Sequence, residues 1–202
     1  MNRPSDIFMR VTGKTGLYNI MPFRNISSVL SLGILSNFLA EKLPHVSVAM
    51  NEVQSRRDKV NVPNGMPLHQ YANLYFDARN PMMYKRQDED ICVLKISPRV
   101  LDLENVVISD RNASSDYASF HEPTKILDKL DYDMIYAKSW VDANYYLMLK
   151  KKSVKCAEVL IPEKILPQYI IGTAVKNQED KERLEEMGFN KKIYIEKELF
   201  FK

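Results

Sequence analysis

The sequence predicts an α+β fold, and three observations lead there. Apolar, strand-like runs gather in the second half of the chain, at residues 91–96, 106–108, 159–161 and 169–175. Helical spacing governs the first half, where Ile26, Val29, Leu30 and Ile34, and then Ala49, Val53, Arg56 and Val60, recur on one face. No internal repeat, linker or low-complexity segment divides the 202 residues, so residues 1–202 read as a single domain in which the two patterns share one core.

Taken in order, residues 17–21 are a short strand closed by Pro22. Asn25 is placed to cap a helix with Gly33 near its end. Residues 47–60 predict a second helix carrying Arg56 and Arg57, and Pro63, Asn64, Gly65 and Pro67 mark a turn. The stretch 68–84 is dense in aromatics, with Tyr71, Tyr75, Phe76 and Tyr84, and its alternation over 71–76 favours a strand running into a loop. Beyond the strands at 91–96 and 106–108, residues 109–122 are polar and weakly patterned, which suits a functional surface loop. Helices are expected at 123–130 and 132–139, then a basic run over 147–155 with Lys150, Lys151 and Lys152. A strand ends at Pro162, another spans 169–175, a charged helix over 179–187 stops at Gly188, and residues 193–201 alternate as a last strand.

Composition narrows the function classes. With 45% hydrophobic and 27% charged residues the chain is an ordinary globular sequence, and its net charge of +3 permits a nucleic-acid partner without demanding one. Two cysteines, Cys92 and Cys156, lie in apolar runs and are too few for a disulfide framework or a cysteine-rich zinc site. His45, His69 and His121 lack ligand spacing, so no metal is expected. The amino terminus has no apolar signal segment and no run approaches the ~18 residues of a membrane span, so a cytoplasmic protein without a membrane partner is expected. Glycine-rich nucleotide loops, HExxH and GxSxG are missing from the sequence, which removes support for Rossmann, P-loop, zincin and hydrolase readings.

Glu158 is the residue that asks for an explanation. It heads the apolar run Val159-Leu160-Ile161, and a carboxylate entering a buried strand is costly to desolvate unless it is paired, hydrogen-bonded or used. Taken alone, it reads as an outward-facing residue on an edge strand, Arg56 and Arg57 as a solvated helix face, and Tyr71, Tyr75 and Phe76 as core. Guanidinium forks would also suit a pyrophosphate, and an open aromatic face would stack a nicotinamide or a nucleobase.

Together and in order, these stretches resemble the DarT family of DNA ADP-ribosyltransferase toxins. The resemblance runs through Leu17-Tyr18-Asn19-Ile20, Asn25-Ile26-Ser27-Ser28-Val29-Leu30, Val53-Gln54-Ser55-Arg56-Arg57, His69 to Phe76, Arg79-Asn80-Pro81-Met82-Met83-Tyr84, Ser109 to Ala113 and Lys155 to Pro162. It implies an ADP-ribosyltransferase-like split, mixed β-core with helices around a cleft for NAD+, used as co-substrate without a metal. It implies Glu158 and Arg57 as catalytic residues, with Asn19, Tyr18, Asn25, Arg57, Tyr71 and Tyr75 holding NAD+. On the DNA side it implies Arg56, Arg79, Met82, Tyr84, Asp110, Arg111, Asn112, Tyr117 and His121. The implied reaction moves ADP-ribose to a base of single-stranded DNA, with RNA or protein as alternative acceptors and a non-catalytic nucleotide- or nucleic-acid-binding module as the alternative class. Where family members commonly carry a histidine in the first strand, this chain has Asn19, and Pro22 stands in place of a second, which favours guanine over thymine as the acceptor. The implied partner is an antitoxin that removes ADP-ribose, of macrodomain or NADAR type.

Overall fold

The computed structural model describes residues 3–43 and 57–201. Its strands are β1 (Leu17–Pro22), β2 (Ile34–Leu35), β3 (Tyr71–Tyr75), β4 (Ile91–Ile96), β5 (Val107–Ser109), β6 (Phe120–His121), β7 (Glu158–Pro162), β8 (Lys164–Ile165), β9 (Ile170–Val175) and β10 (Lys192–Ile195). Eight of them form one sheet in the order β10-β9-β4-β1-β3-β7-β5-β6, and β2 and β8 form a small second sheet. Pairing in the large sheet is antiparallel except between β9 and β10, so the sheet is mixed.

The sheet is almost divided in the middle. β1 registers with β4 from Leu17↔Ile96 to Pro22↔Ile91, and β3 with β7 from Tyr71↔Pro162 to Tyr75↔Glu158. Between β1 and β3 the ladder holds only Tyr18↔Tyr75. That seam is the split expected of the core.

Residues two apart on a strand share a face, so the register assigns the two faces of the sheet. Ala72, Leu74, Leu94, Val159 and Ile161 pack on one face with Phe8, Ile26 and Leu184 in the main apolar cluster. The opposite face carries two smaller clusters, one around Ile20, Tyr75, Val93 and Cys156, the other around Val62, Tyr71, Ala113 and Leu160. Glu158 lies on this second face, in register between Tyr75 and Ser109.

Several elements differ from the sequence expectation. Strands β1, β3 and β4 fall in the first half and the helices Tyr145–Val154 and Gln178–Glu186 in the second, so helices and strands are interleaved along the chain. The helix after Asn25 ends at Leu32, and Ile34 leaves it to pair with Ile165 in β2. Asn25 makes no side-chain cap there, because the 3-10 turn Phe23–Asn25 feeds directly into the helix. Gly33 sits at φ 90°, and a side chain at that position would collide with the Ile165 carbonyl. Residues 123–130 and 132–139 give only the short helices Pro123–Ile126 and Tyr132–Ile135, and the last strand stops at Ile195 before the 3-10 turn Lys197–Leu199. The basic run is a helix, Tyr145–Val154, started by Asn144, whose side chain accepts from the Leu147 N–H at 3.1 Å. Most of the expected helix over 47–60, with Arg56, lies outside the described residues. No helix among the described residues is long and apolar enough to cross a membrane.

Candidate active site

Glu158 is 1% exposed and held by donors rather than facing outward on an edge. β7 lies between β3 and β5, so the edge-strand reading of this carboxylate does not hold. Arg57 Nη1 donates to Glu158 Oε2 at 3.0 Å and to Oε1 at 3.3 Å, and the Ala113 backbone N–H donates to Oε1 at 3.0 Å. Arg57 is itself only 11% exposed, so the pair is held away from bulk water, where its attraction is screened little. A carboxylate offers about four acceptor positions. Three are filled by the described residues, which among them leaves one on Oε2 for a ligand hydroxyl.

Two groups beside Glu158 hold their protons more tightly than usual. Burial, and after it the nearby Glu158 carboxylate, push the Cys156 thiol up to about 12. Burial and then Glu158 also raise the Tyr75 phenol above its ordinary value, so both neighbours stay protonated and neutral at physiological pH. The Tyr18 phenol is raised as well, first by burial and then by Glu196, Asp77 and Tyr194.

The chain entering β7 is anchored by Lys155. Its ammonium, inside the protein, donates to Asp77 Oδ2 at 2.8 Å, to the Ile135 carbonyl at 3.0 Å and to the Ala137 carbonyl at 2.6 Å. Three acceptors satisfy its three protons, which is the condition for burying an ammonium. The anchor ties the end of the Tyr71–Tyr75 strand to the strand that presents Glu158.

Asn19 sits at the seam. Its amide nitrogen donates to the Asn73 carbonyl at 3.0 Å, bridging β1 and β3 where the ladder thins, while its Oδ1 is buried with no partner among the described residues. A buried acceptor without a donor is uncommon in folded proteins, and this one lies on the face of the main apolar cluster. Tyr18 and Tyr75 flank the same seam. Tyr18, Tyr75 and Glu158 are in register on one face of the sheet, whereas Asn19, opposite Leu94, turns its side chain to the other face. Among the described residues no cluster of three or more His, Cys, Asp or Glu could hold a metal ion.

The other expected residues divide into groups. Tyr71 lies at the far end of β3, opposite Pro162; its hydroxyl accepts from the Met66 N–H at 3.2 Å, and with His121 it lines a separate cavity of about 760 Å³. Asn25 precedes its helix on the segment after β1. Arg79 turns to the carboxyl-terminal segment, donating to the Phe200 carbonyl at 3.1 Å with its guanidinium 4.0 Å from the Phe201 ring. Tyr84 packs edge-on against Trp140 and Phe201 beside it. Asp110 and Arg111 pair with each other at 2.9 Å, and Asp110 also accepts from the Ser119 N–H at 2.9 Å, closing the loop. Asn112 donates its backbone N–H to the Ser153 carbonyl at 2.9 Å and accepts from Ser114. Met82, Asn112 and Tyr117 line a third region beside Cys156. The sequence does not reveal the Ala113 N–H, a backbone group with no side-chain signal, or Ser109, whose buried hydroxyl has no partner among the described residues and stands opposite Glu158. The alternation of β5 places Ser109 on the Glu158 face and was the signal available for it.

Known proteins share this arrangement of strands. The family profile described as "ssDNA thymidine ADP-ribosyltransferase, DarT" matches residues 18–201. A relative from Thermosipho africanus, a DNA ADP-ribosyl transferase–DNA ADP-ribosyl glycohydrolase fusion protein, is 27% identical over 187 residues, 89% of this chain and 47% of the relative. The chain therefore spans about half the length of that protein. Thermus sp. 2.9 DarT in complex with ADP-ribosylated ssDNA has a similar fold, with a TM-score of 0.80 at 24% identity over 93% of this chain and 96% of that one. The same Thermus protein in complex with NAD+ gives a TM-score of 0.74 at 23% identity, covering 93% and 98%.

Proposed function

Because the chain belongs to the DarT family, we propose that it transfers ADP-ribose from NAD+ to a base of single-stranded DNA and releases nicotinamide. The observation that carries this reading is the buried Glu158, held by Arg57 and the Ala113 N–H with one acceptor position left on Oε2. NAD+ supplies an ADP-ribosyl group whose bond to nicotinamide breaks as positive charge develops on the ribose. Glu158 faces that charge from a site with little water, where a fixed carboxylate stabilises it strongly, and its open lone pair accepts the ribose 2′-hydroxyl. Arg57 orients the carboxylate, and its guanidinium fork suits a phosphate of NAD+. Tyr18 and Tyr75 flank the nicotinamide end on the Glu158 face, and Asn19 braces the seam behind them through the Asn73 carbonyl.

The acceptor base must be outside a duplex stack for its nitrogen to reach the ribose carbon, so the DNA is single-stranded. Guanine is the base we favour, on the departure at Asn19. We take residues 1–202 as one ADP-ribosyltransferase domain acting in the cytoplasm as a toxin. The glycohydrolase named in the Thermosipho relative supports an antitoxin partner that removes ADP-ribose, of macrodomain or NADAR type.

Labelled NAD+ offered with oligonucleotides that differ in one base, with mass spectrometry of the products, tests the reading. Label is expected on single strands containing guanine; label on strands whose only reactive base is thymine would move the acceptor to thymine. Label confined to RNA or protein pools would refute DNA modification.

A further inference from the structure

A cavity of about 550 Å³ opens beside the reaction centre, between the helix Pro81–Lys85, the loop 112–117 and the helix Tyr145–Val154. Met82, Asn112, Tyr117, Leu149, Lys152 and Ser153 contribute to its wall, and neither Glu158 nor Arg57 does. The backbone of Asn112 and Ala113 stands between, tied to the Ser153 carbonyl on one side and to Glu158 Oε1 on the other. The cavity is therefore a neighbour of the reaction centre rather than part of it.

Its wall combines three features that no part of the fold requires. The Ser153 hydroxyl is buried with no hydrogen-bond partner among the described residues. Tyr117 is 79% and Leu149 43% exposed, large apolar surfaces left in water at the rim. Lys152 faces the cavity, whereas its neighbours Lys151 and Lys155 pair with Asp142 and Asp77. Tyr145, 62% exposed, lies on the same helix face as Leu149 and Lys152 and extends the apolar rim away from the cavity. An aromatic and aliphatic wall, an ammonium and one unpaired hydroxyl match, respectively, a base face, a phosphate and a base edge. The volume falls within the roughly 300–1,000 Å³ of small-molecule sites.

We propose that this cavity is a nucleotide subsite for the residue of the single strand adjacent to the acceptor. The base stacks on Tyr117 and Leu149, its edge meets Ser153 Oγ, and the adjoining phosphate meets Lys152. The subsite rests on the DNA reading above and deepens it: it selects the neighbour of the modified base.

Fluorescence anisotropy with labelled single-stranded oligonucleotides tests it, using Tyr117→Ala and Lys152→Ala and an abasic scan across the strand. Loss of one stacking partner is expected to weaken binding about tenfold for Tyr117→Ala. Lys152→Ala should reduce the slope of log affinity against log salt by about one. The Tyr117→Ala penalty should disappear when the base at one position next to the acceptor is removed, and persist when the abasic site lies elsewhere. Melting curves confirm that each variant is folded. Unchanged affinity in both variants, or a Tyr117→Ala penalty that survives every abasic substitution, would overturn the subsite. If the unaltered chain modifies no single strand, the DNA reading falls with it; if it modifies DNA while both variants bind normally, the subsite alone falls.

Discussion

Replacing Glu158 by glutamine preserves shape and removes charge, and the donors around the carboxylate set how much that costs. Oε1 accepts from Ala113 N–H at 3.0 Å and from Arg57 at 3.3 Å, and Oε2 accepts from Arg57 at 3.0 Å. Whichever oxygen becomes the amide NH2, it meets a donor, so at least one charge-assisted bond is lost. Such bonds contribute about 1.5–3 kcal/mol each. For a domain of this size each kcal/mol moves Tm by about 2–4 °C, so Tm should fall by roughly 3–12 °C. A stability of the usual ~5–15 kcal/mol leaves the variant folded at 25 °C. The rate suffers more, because the carboxylate stabilises charge that appears only in the transition state. A loss of about 10²–10³ in label transfer from NAD+ to single-stranded DNA is expected at saturating NAD+. A variant that melts as predicted yet transfers at the unaltered rate would remove Glu158 from the chemistry. An unchanged Tm would refute the donor arrangement itself.

Lys155→Met leaves Asp77 and two carbonyls without their donor, and breaking a buried pair from one side costs about 3–5 kcal/mol; thermal melting should register the drop. Gly33→Ala should be far more damaging than Gly188→Ala, although both sites have positive φ, since a side chain meets the Ile165 carbonyl at the first and open space at the second. Soluble yield and Tm compare them, with about 1–2 kcal/mol expected at Gly188. Alkaline titration probes the thiols: Cys92 and Cys156 are both pushed up to about 12 from 9.0, mainly by burial. The folded state then holds these protons more tightly than the unfolded one, so their contribution is intact below about pH 9 and is lost as pH rises towards 12. Denaturant midpoints between pH 8 and 11 should decline accordingly, and less steeply in Cys156→Ser.

The strands at the centre of the sheet were legible because their apolar runs are bounded by Pro, Gly or charged residues, as at Ile91–Ile96 and Glu158–Pro162. The amino-terminal helix Pro4–Thr12 was not legible. Its attachment depends on Ser5 donating to Asp102 at 2.9 and 2.6 Å, a contact 97 residues away that no local pattern announces. The helix Tyr145–Val154 was hidden by consecutive lysines on a face that only Val154 buries fully. At the site, Glu158 stood out through its awkward position, and Arg57 through family resemblance. Tyr71 did not join them, because the period of the strand puts it on the right face but four residues too far along. Nothing local showed that a loop amide at Ala113 would complete the carboxylate's partners, since that depends on how the loop folds back.

The thin seam between Tyr18 and Tyr75 has a consequence for how the molecule breathes. On one side β10, β9, β4 and β1 share a continuous ladder, and on the other β3, β7, β5 and β6 share another. Amides within each block should exchange with solvent as a cooperative unit with its own opening free energy. The main apolar cluster, which joins Leu17 and Leu94 to Ala72 and Val159, makes the two blocks share the final, global opening. Small rotations of one block against the other break few backbone hydrogen bonds, so the spacing of Tyr18 from Glu158 across the seam can adjust while each block stays rigid.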